Sequence, residues 1–272
     1  MAIKRLGYNL SVNILFALLV VLTIVPFIYM ALMSFQDTAT LDFHFRVDKL
    51  DLDNYKRIFK NYNFFGYLSN SLYVVASACI LNTFISSMAG YAFAKKHFPL
   101  KRELFWVYLA TMMIPAQVTL IPTFIIMKQL DLLNTLTALY LPILNAFGVF
   151  LCRQFMQEGL PDELIKAARM DGCRELRIYT SVVLPLAKPV LVSLAVFTFI
   201  TTWNDFIWPL VIITDSAKQT LTLALSTLQT NYTVNYGLVT AGTTLTFLPP
   251  FLFYVFMQKQ FVEGIAFSGI KA

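Results

Sequence analysis

Six stretches of this chain are apolar over lengths that no soluble helix of ordinary size requires: 12–34, 69–94, 104–127, 136–156, 189–213 and 237–258. A helix of about 20 apolar residues crosses the ~30 Å hydrocarbon core of a bilayer. Lipid offers no partner for free backbone groups, so a spanning segment of this length must be helical. The pattern therefore predicts an all-α integral membrane protein with six transmembrane helices, built as one domain over residues 1–272. Pro26, Pro115, Pro122, Pro142, Pro209, Pro249 and Pro250 fall inside these spans. Membrane bundles tolerate them because neighbouring helices satisfy the freed groups.

Composition agrees. Only 13% of the 272 residues are charged, against about 25% in an ordinary soluble domain. The first apolar run follows Lys4 and Arg5 but is longer than the ~7–15 residues of a signal-peptide core. No small-residue cleavage site follows it, so it is read as a retained first span. The net charge of +6 fits basic loops against anionic lipid, with no nucleic-acid partner. An even span number puts both termini on one side. That side holds 14 Lys and Arg (Lys4, Arg5, Lys95, Lys96, Lys101, Arg102, Arg153, Lys166, Arg169, Arg174, Arg177, Lys188, Lys259 and Lys271) and the other holds 7. Both termini are expected to be cytoplasmic.

Catalytic and metal chemistry find little purchase. The only histidines, His44 and His97, lie in separate loops, and the three cysteines show no clip spacing. A phosphate-cradling G-x-x-x-x-G-K-[ST] loop is missing: Gly264 and Gly269 have the separation, but Ile270 follows instead of Lys. The chain is expected to bind no metal and no cofactor and to hydrolyse nothing itself.

The informative segment is the polar loop 157–188 between the fourth and fifth spans, and above all GLPDELIKAARMDGCRELRIYTSVVLPLAKP at 159–189. Pro161 suits a first helical position, and Asp162 and Glu163 suit the positive end of a helix. Leu160, Leu164, Ala167, Ala168 and Met170 form a broad apolar stripe. Gly172 can turn the chain, and a second helical stretch runs towards Pro185. Two uses fit: an amphipathic helix that docks into a partner's groove, or one that folds back on its own bundle.

The segment resembles the EAA loop of bacterial ABC import permeases, roughly P-x-E-L-x-E-A-A-x-x-D-G-A followed by L-P-L-x-x-P. Pro161, Glu163, Leu164, Ala167, Ala168, Asp171 and Gly172 match, as do Leu184, Pro185, Leu186 and Pro189. Lys166 stands where the family carries the Glu of its EAA triplet, and Cys173 where Ala is common. In the family that Glu pairs with a basic ATPase residue. Lys166 reverses the charge, leaving Glu163 or a different partner group for the contact. The T-W-N-D-F-I-W-P-L run at 202–210, the M-M-I-P-A-Q-V-T-L-I-P run at 112–122 and the ending Gln260–Lys271 resemble MalG-like subunits of the carbohydrate-uptake branch.

The resemblance implies a MetI-like permease with a cytoplasmic coupling helix. Its docking residues would be Glu163, Leu164, Lys166, Ala167, Ala168, Asp171 and Gly172. It implies a second homologous permease subunit, two cytoplasmic ATPase subunits that bind ATP and Mg, and an extracytoplasmic solute-binding protein. The setting would be a bacterial inner or plasma membrane, and the cargo a sugar or oligosaccharide.

Asp205 is the one carboxylate inside a predicted span. A charge there costs ~2.5–3.5 kcal/mol by insertion scales, so it must face water or a polar partner. Trp203, Asn204 and Asp205 are candidates for the solute path, since sugars bind aromatic faces beside polar groups. The alternative is a structural bond to a neighbouring helix. An ion-coupled secondary transporter is the competing class. It would carry paired intramembrane charges and inverted repeats, neither of which is visible.

Overall fold

The computed structural model describes residues 2–36, 50–226, 228 and 235–269, with side chains for 12–36, 50–226, 228 and 235–258. His44, Arg46, Lys49, Ile270 and Lys271, and the side chains of Lys4, Arg5, Lys259 and the Gln260–Gly269 tail, lie outside that description. The described residues are mostly helical and contain no strand.

In chain order the helices are α1 (Ala2–Met33), α2 (Asp53–Asn61), α3 (Phe64–Lys95), α4 (Lys101–Ala110), α5 (Ala116–Gln129), α6 (Thr137–Tyr140) and α7 (Ala146–Gly159). Then follow α8 (Asp162–Met170), α9 (Glu175–Ile178), α10 (Leu184–Leu186), α11 (Lys188–Trp203), α12 (Ile207–Ile212), α13 (Leu221–Ser226) and α14 (Tyr236–Gly269). Contacts divide the chain into two compact units, Met1–Phe64 with Leu225–Leu248, and Phe65–Ala224 with Pro249–Ala272.

Val12–Met33, Phe64–Lys95 and Tyr236–Gln258 are each long and apolar enough to cross a membrane unaided. Three further crossings exist only if bent pairs count as single spans. The predicted span 104–127 is broken by 105° between Met113 and Ala116. Pro115 has no N–H to continue a helix, and its ring disfavours helical geometry at the residue before it. Ile114 accordingly takes an extended conformation. The predicted span 136–156 bends by 45° after the short turn Leu141–Ile143, which contains Pro142. Asn145 then caps α7, its side-chain oxygen accepting from the Gly148 amide at 3.0 Å.

The predicted span 189–213 differs most. Its helix starts at Lys188, ends at Trp203, and meets the preceding stretch Glu175–Leu186 at 76°. The chain restarts as α12, where Pro209 occupies the first turn, a place that demands no N–H from it.

In the larger unit α3 and α7 approach closely. A Cβ on Gly90 would lie 2.9 Å from the backbone nitrogen of Arg153, so only glycine permits this contact. Ser86 and Asn82 lie against Gly148 in the same seam. At one end of this seam a core of Tyr91, Cys152, Met156, Leu160, Ile165, Ile178, Tyr179, Val183 and Leu194 joins α3, α7, α8, α9 and α11. In the smaller unit the Asn54 side chain donates to the carbonyls of Ser34 (3.0 Å) and Gln36 (2.9 Å), closing the end of α1 onto α2.

Candidate functional site

The segment after α7 is a short helix, a tight reversal and a second helix. α8 begins at Asp162, and Pro161 sits one position outside it as the capping residue. That differs from a first helical position by one residue, because Pro161 takes an extended ψ of 133°. Asp162 and Glu163 occupy the first turn. The helix ends in a Schellman arrangement: the Cys173 amide donates to Ala168 O and the Gly172 amide to Arg169 O, both at 3.0 Å. Gly172 has φ +76°, a left-handed backbone that costs a residue with a Cβ about 1–2 kcal/mol.

The apolar stripe read from the sequence divides into two faces. Ile165, 4% exposed, is the residue of α8 that enters the core, beneath Leu160 and beside the half-buried Ala168. The sequence reading passed over Ile165. Leu164 (44% exposed), Met170 (83%) and, beyond the turn, Leu176 (70%) point away from it. Glu163, Lys166, Ala167, Asp171 and Gly172 are exposed as well. Glu163, Lys166, Ala167 and Met170 follow at helical spacings of three and four along the outer side.

Charged residues clamp this knob to the end of α3. The Lys95 side chain, only 7% exposed, donates to Leu160 O at 2.6 Å and to Asp162 Oδ1 at 2.7 Å. Lys96 pairs with Glu175, which also accepts from Arg169 Nε at 3.1 Å. Beneath them the hydroxyls of Ser87 and Tyr179 share a hydrogen bond of 2.6 Å. The Lys95 ammonium holds the Asp162 carboxyl below its usual range. Lys96 first, then Arg169, does the same for Glu175. Pairings across 67 or 79 residues of sequence leave no local signal, so the lysines were legible only as loop charge.

At the far end of α11 the three candidate pathway residues separate. Trp203, 3% exposed, stacks on Phe199 with ring planes 6° apart, and its carbonyl accepts from Thr222 at 2.8 Å. The Asn204 side chain is spent on Ile200 O at 2.9 Å. Asp205 accepts from the Trp208 amide at 3.3 Å and also lines a cavity of about 310 Å³. Gln117, Thr119 and Thr123 of α5 share that cavity with Pro142, Ile143 and Trp208. The cavity joins side chains from α5, the Pro142 turn and α12, a meeting that the sequence pattern did not show.

Asn134 organises the segment beyond α12. Its side-chain oxygen accepts from the amides of Thr214 (3.1 Å) and Asp215 (3.0 Å). The segment that follows packs as far as Ser226: Leu221, Leu223 and Ala224 of α13 are buried. Among the described residues no cluster of His, Cys, Asp and Glu has the makings of a metal site.

Among the described residues, long apolar helices, bent helix pairs and a clamped polar knob fit a membrane component. Residues 82–266 match the family described as binding-protein-dependent transport system inner membrane component. The chain belongs to that family, the membrane permeases of ABC import systems, as the 159–189 resemblance implied. Its part is passage across the membrane, not catalysis.

The chain is 35% identical to the arabinooligosaccharides transport system permease protein AraQ of Halalkalibacterium halodurans, over 94% of each chain. It is 32% identical to AraQ of Bacillus subtilis, covering 97% of this chain and 96% of that one. It is 36% identical to the sn-glycerol-3-phosphate transport system permease protein UgpE of Pectobacterium atrosepticum, over 75% and 74%. Its fold matches a chain of a bacterial ABC transporter involved in import of the acidic polysaccharide alginate. The TM-score is 0.82 at 24% identity, with 94% and 97% covered. Family membership favours the ABC reading over an ion-coupled transporter.

Proposed function

We propose that this chain is the permease subunit of an ATP-driven importer for a sugar or oligosaccharide, and that 157–188 is its coupling loop. The 272 residues form one transmembrane domain of six spans in a bacterial inner or plasma membrane, the fifth beginning with α11 after the coupling loop, with both termini cytoplasmic. A second homologous permease completes the channel. Two cytoplasmic ATPase subunits, which bind the ATP and Mg, receive α8 in a surface groove. An extracytoplasmic binding protein delivers the solute. The arabinooligosaccharide permeases among its relatives support a carbohydrate cargo.

The observation that carries the reading is the exposed Leu164, Met170 and Leu176 on an otherwise charged knob. An isolated apolar side chain in water needs no explanation, but three large ones left exposed on a short helix–turn–helix whose Ile165 is buried support a contact surface. Glu163, Lys166, Ala167, Ala168, Asp171 and Gly172 complete that contact. Ala167 admits close approach, and Lys166 seeks an acidic group where related loops seek a basic one. Asp205, with Trp203 and Asn204 behind it, forms part of the solute path, supported by the polar side chains around its cavity.

The test is to purify the chain with its partner subunits and measure ATP hydrolysis against a panel of sugars presented by the binding protein. Gly172→Asp is expected to leave insertion intact and abolish sugar-stimulated hydrolysis. The added side chain meets open space, so the effect arises from backbone strain and altered docking. Normal transport by that variant sinks the docking role.

A further inference from the structure

A second cavity, of about 510 Å³, opens where the C-terminal end of α3 and the middle of α7 meet α4. Its lining combines Lys101, Arg102 and Arg153 with Phe93, Phe105, Trp106 and Phe150, and contains no carboxylate. The transport reading makes no use of it.

The cations there lack counter-charges. Lys101 spends its ammonium on backbone, donating to Lys96 O at 2.8 Å. Arg102 and Arg153 have no carboxylate partner among the described residues. The Arg153 guanidinium lies 4.0 Å over the Phe105 ring, which fixes its plane. Its Nε is buried and donates to nothing. An unsatisfied buried donor is costly, and a charged one more so. Burial, then repulsion from Arg153 and Lys95, pulls the Lys101 ammonium below its ordinary range. The site is positive, holds one buried unpaired donor at Arg153 Nε, and is short of one anion.

Beside the cavity α4 turns an apolar side outward: Leu104, Trp106 and Val107 are all at least half exposed. A ligand fitting both features carries a phosphate at one end and hydrocarbon at the other. We propose that this cavity holds the headgroup of an anionic phospholipid, its phosphate between Arg102 and Arg153 and its acyl chains along α4. The volume suits a glycerophosphate headgroup with its first acyl carbons. Arg presents a planar fork of donors that matches phosphate oxygens, and basic pockets between membrane helices are where such headgroups bind. The lipid also closes the gap between α4 and α7 next to Lys95, so its binding stiffens the support of the coupling segment. The inference rests on the membrane-spanning reading above.

The experiment uses the full chain purified with its partner subunits, stripped into phosphatidylcholine and titrated with phosphatidylglycerol, retained lipid being counted by native mass spectrometry. Wild type is expected to retain phosphatidylglycerol in preference to phosphatidylcholine. Arg102→Gln, at an exposed position, should weaken that preference about fivefold, the value of one cation near a lipid surface. Adding Arg153→Gln should erase the preference, while Arg153→Lys keeps part of it. Inorganic phosphate at the same concentration should neither bind nor displace the lipid. Equal retention of the two lipids by wild type overturns the proposal. So does an Arg102→Gln protein with unchanged preference, or displacement by phosphate. Sugar-stimulated ATP hydrolysis in the same samples reports on the transport reading separately, so either idea can fail alone.

Discussion

At one end of α11, Lys95, Lys96 and Arg169 hold the α8–α9 knob through ion pairs with Asp162 and Glu175. At the other end, Asn134 and Asp205 hold the α12 segment by accepting hydrogen bonds from backbone amides. The first anchor faces water except at the Lys95 ammonium, which is 7% exposed; its exposed charge pairs are individually weak and depend on salt. Of the second, Asp205 sits in a predicted span, where hydrogen bonds to backbone satisfy groups that lipid cannot, and Asn134 lies just outside one, before the fourth span. The charged clamp leaves the outer face of α8 free, and the amide-accepting side chains fix the turns beside the cavity that Asp205 lines.

Breaking the clamp is the largest expected effect. Lys95→Met removes a charged donor from Leu160 O at a site almost closed to solvent, a loss of about 1.5–3 kcal/mol. It should raise amide exchange across 160–178 and uncouple ATP hydrolysis from sugar, leaving exchange across 205–221 unchanged. Equal loosening at both ends would mean that the two anchors are not independent.

Acid sharpens the same contrast. The Asp162 and Glu175 carboxyls are held below their usual values, so their contribution to stability is present above the unfolded-state values of 3.8 and 4.5. It is lost as pH falls through the lower folded values. Exchange across 160–178, corrected for its intrinsic pH dependence, should rise as the pH drops below that window. Glu175→Gln should bring part of that rise to neutral pH. The α12 end should show no such step.

Asn134→Ala leaves the amides of Thr214 and Asp215 without their acceptor. Partial exposure lets water replace it, so the cost is about 1 kcal/mol, visible as faster exchange at 212–218 only. The smallest structural effect belongs to Asp205→Asn, which keeps an oxygen to accept from the Trp208 amide. Thermal stability should stay within about 0.5 kcal/mol of wild type, while the sugar concentration for half-maximal uptake changes. Unchanged uptake kinetics would remove Asp205 from the solute path.

Much of the knob was legible. Pro161, Glu163, Gly172 and Pro185 act through their own backbone or helix-end electrostatics, so they announce an element wherever they occur. Ile165 was harder, because the apolar positions of α8 satisfy helical spacing on two faces at once, and spacing alone does not say which face the bundle takes. The breaks at Pro115 and Asn204 were also missed as breaks. Hydropathy counts apolar residues and is blind to direction, so a bent pair and a straight span score alike.

The sequence by itself determined the run of apolar helices, the permease family and the helix–turn–helix form of the 159–189 segment. The helices and the turn follow from local rules: the thickness of lipid, the cost of unpaired backbone, and the conformations of proline and glycine. Tertiary structure alone decided which face of α8 is buried, which lysines clamp it, and that Asp205 meets a cavity while Trp203 meets the core. Those outcomes join residues tens of positions apart, and such contacts arise from packing that no local pattern encodes.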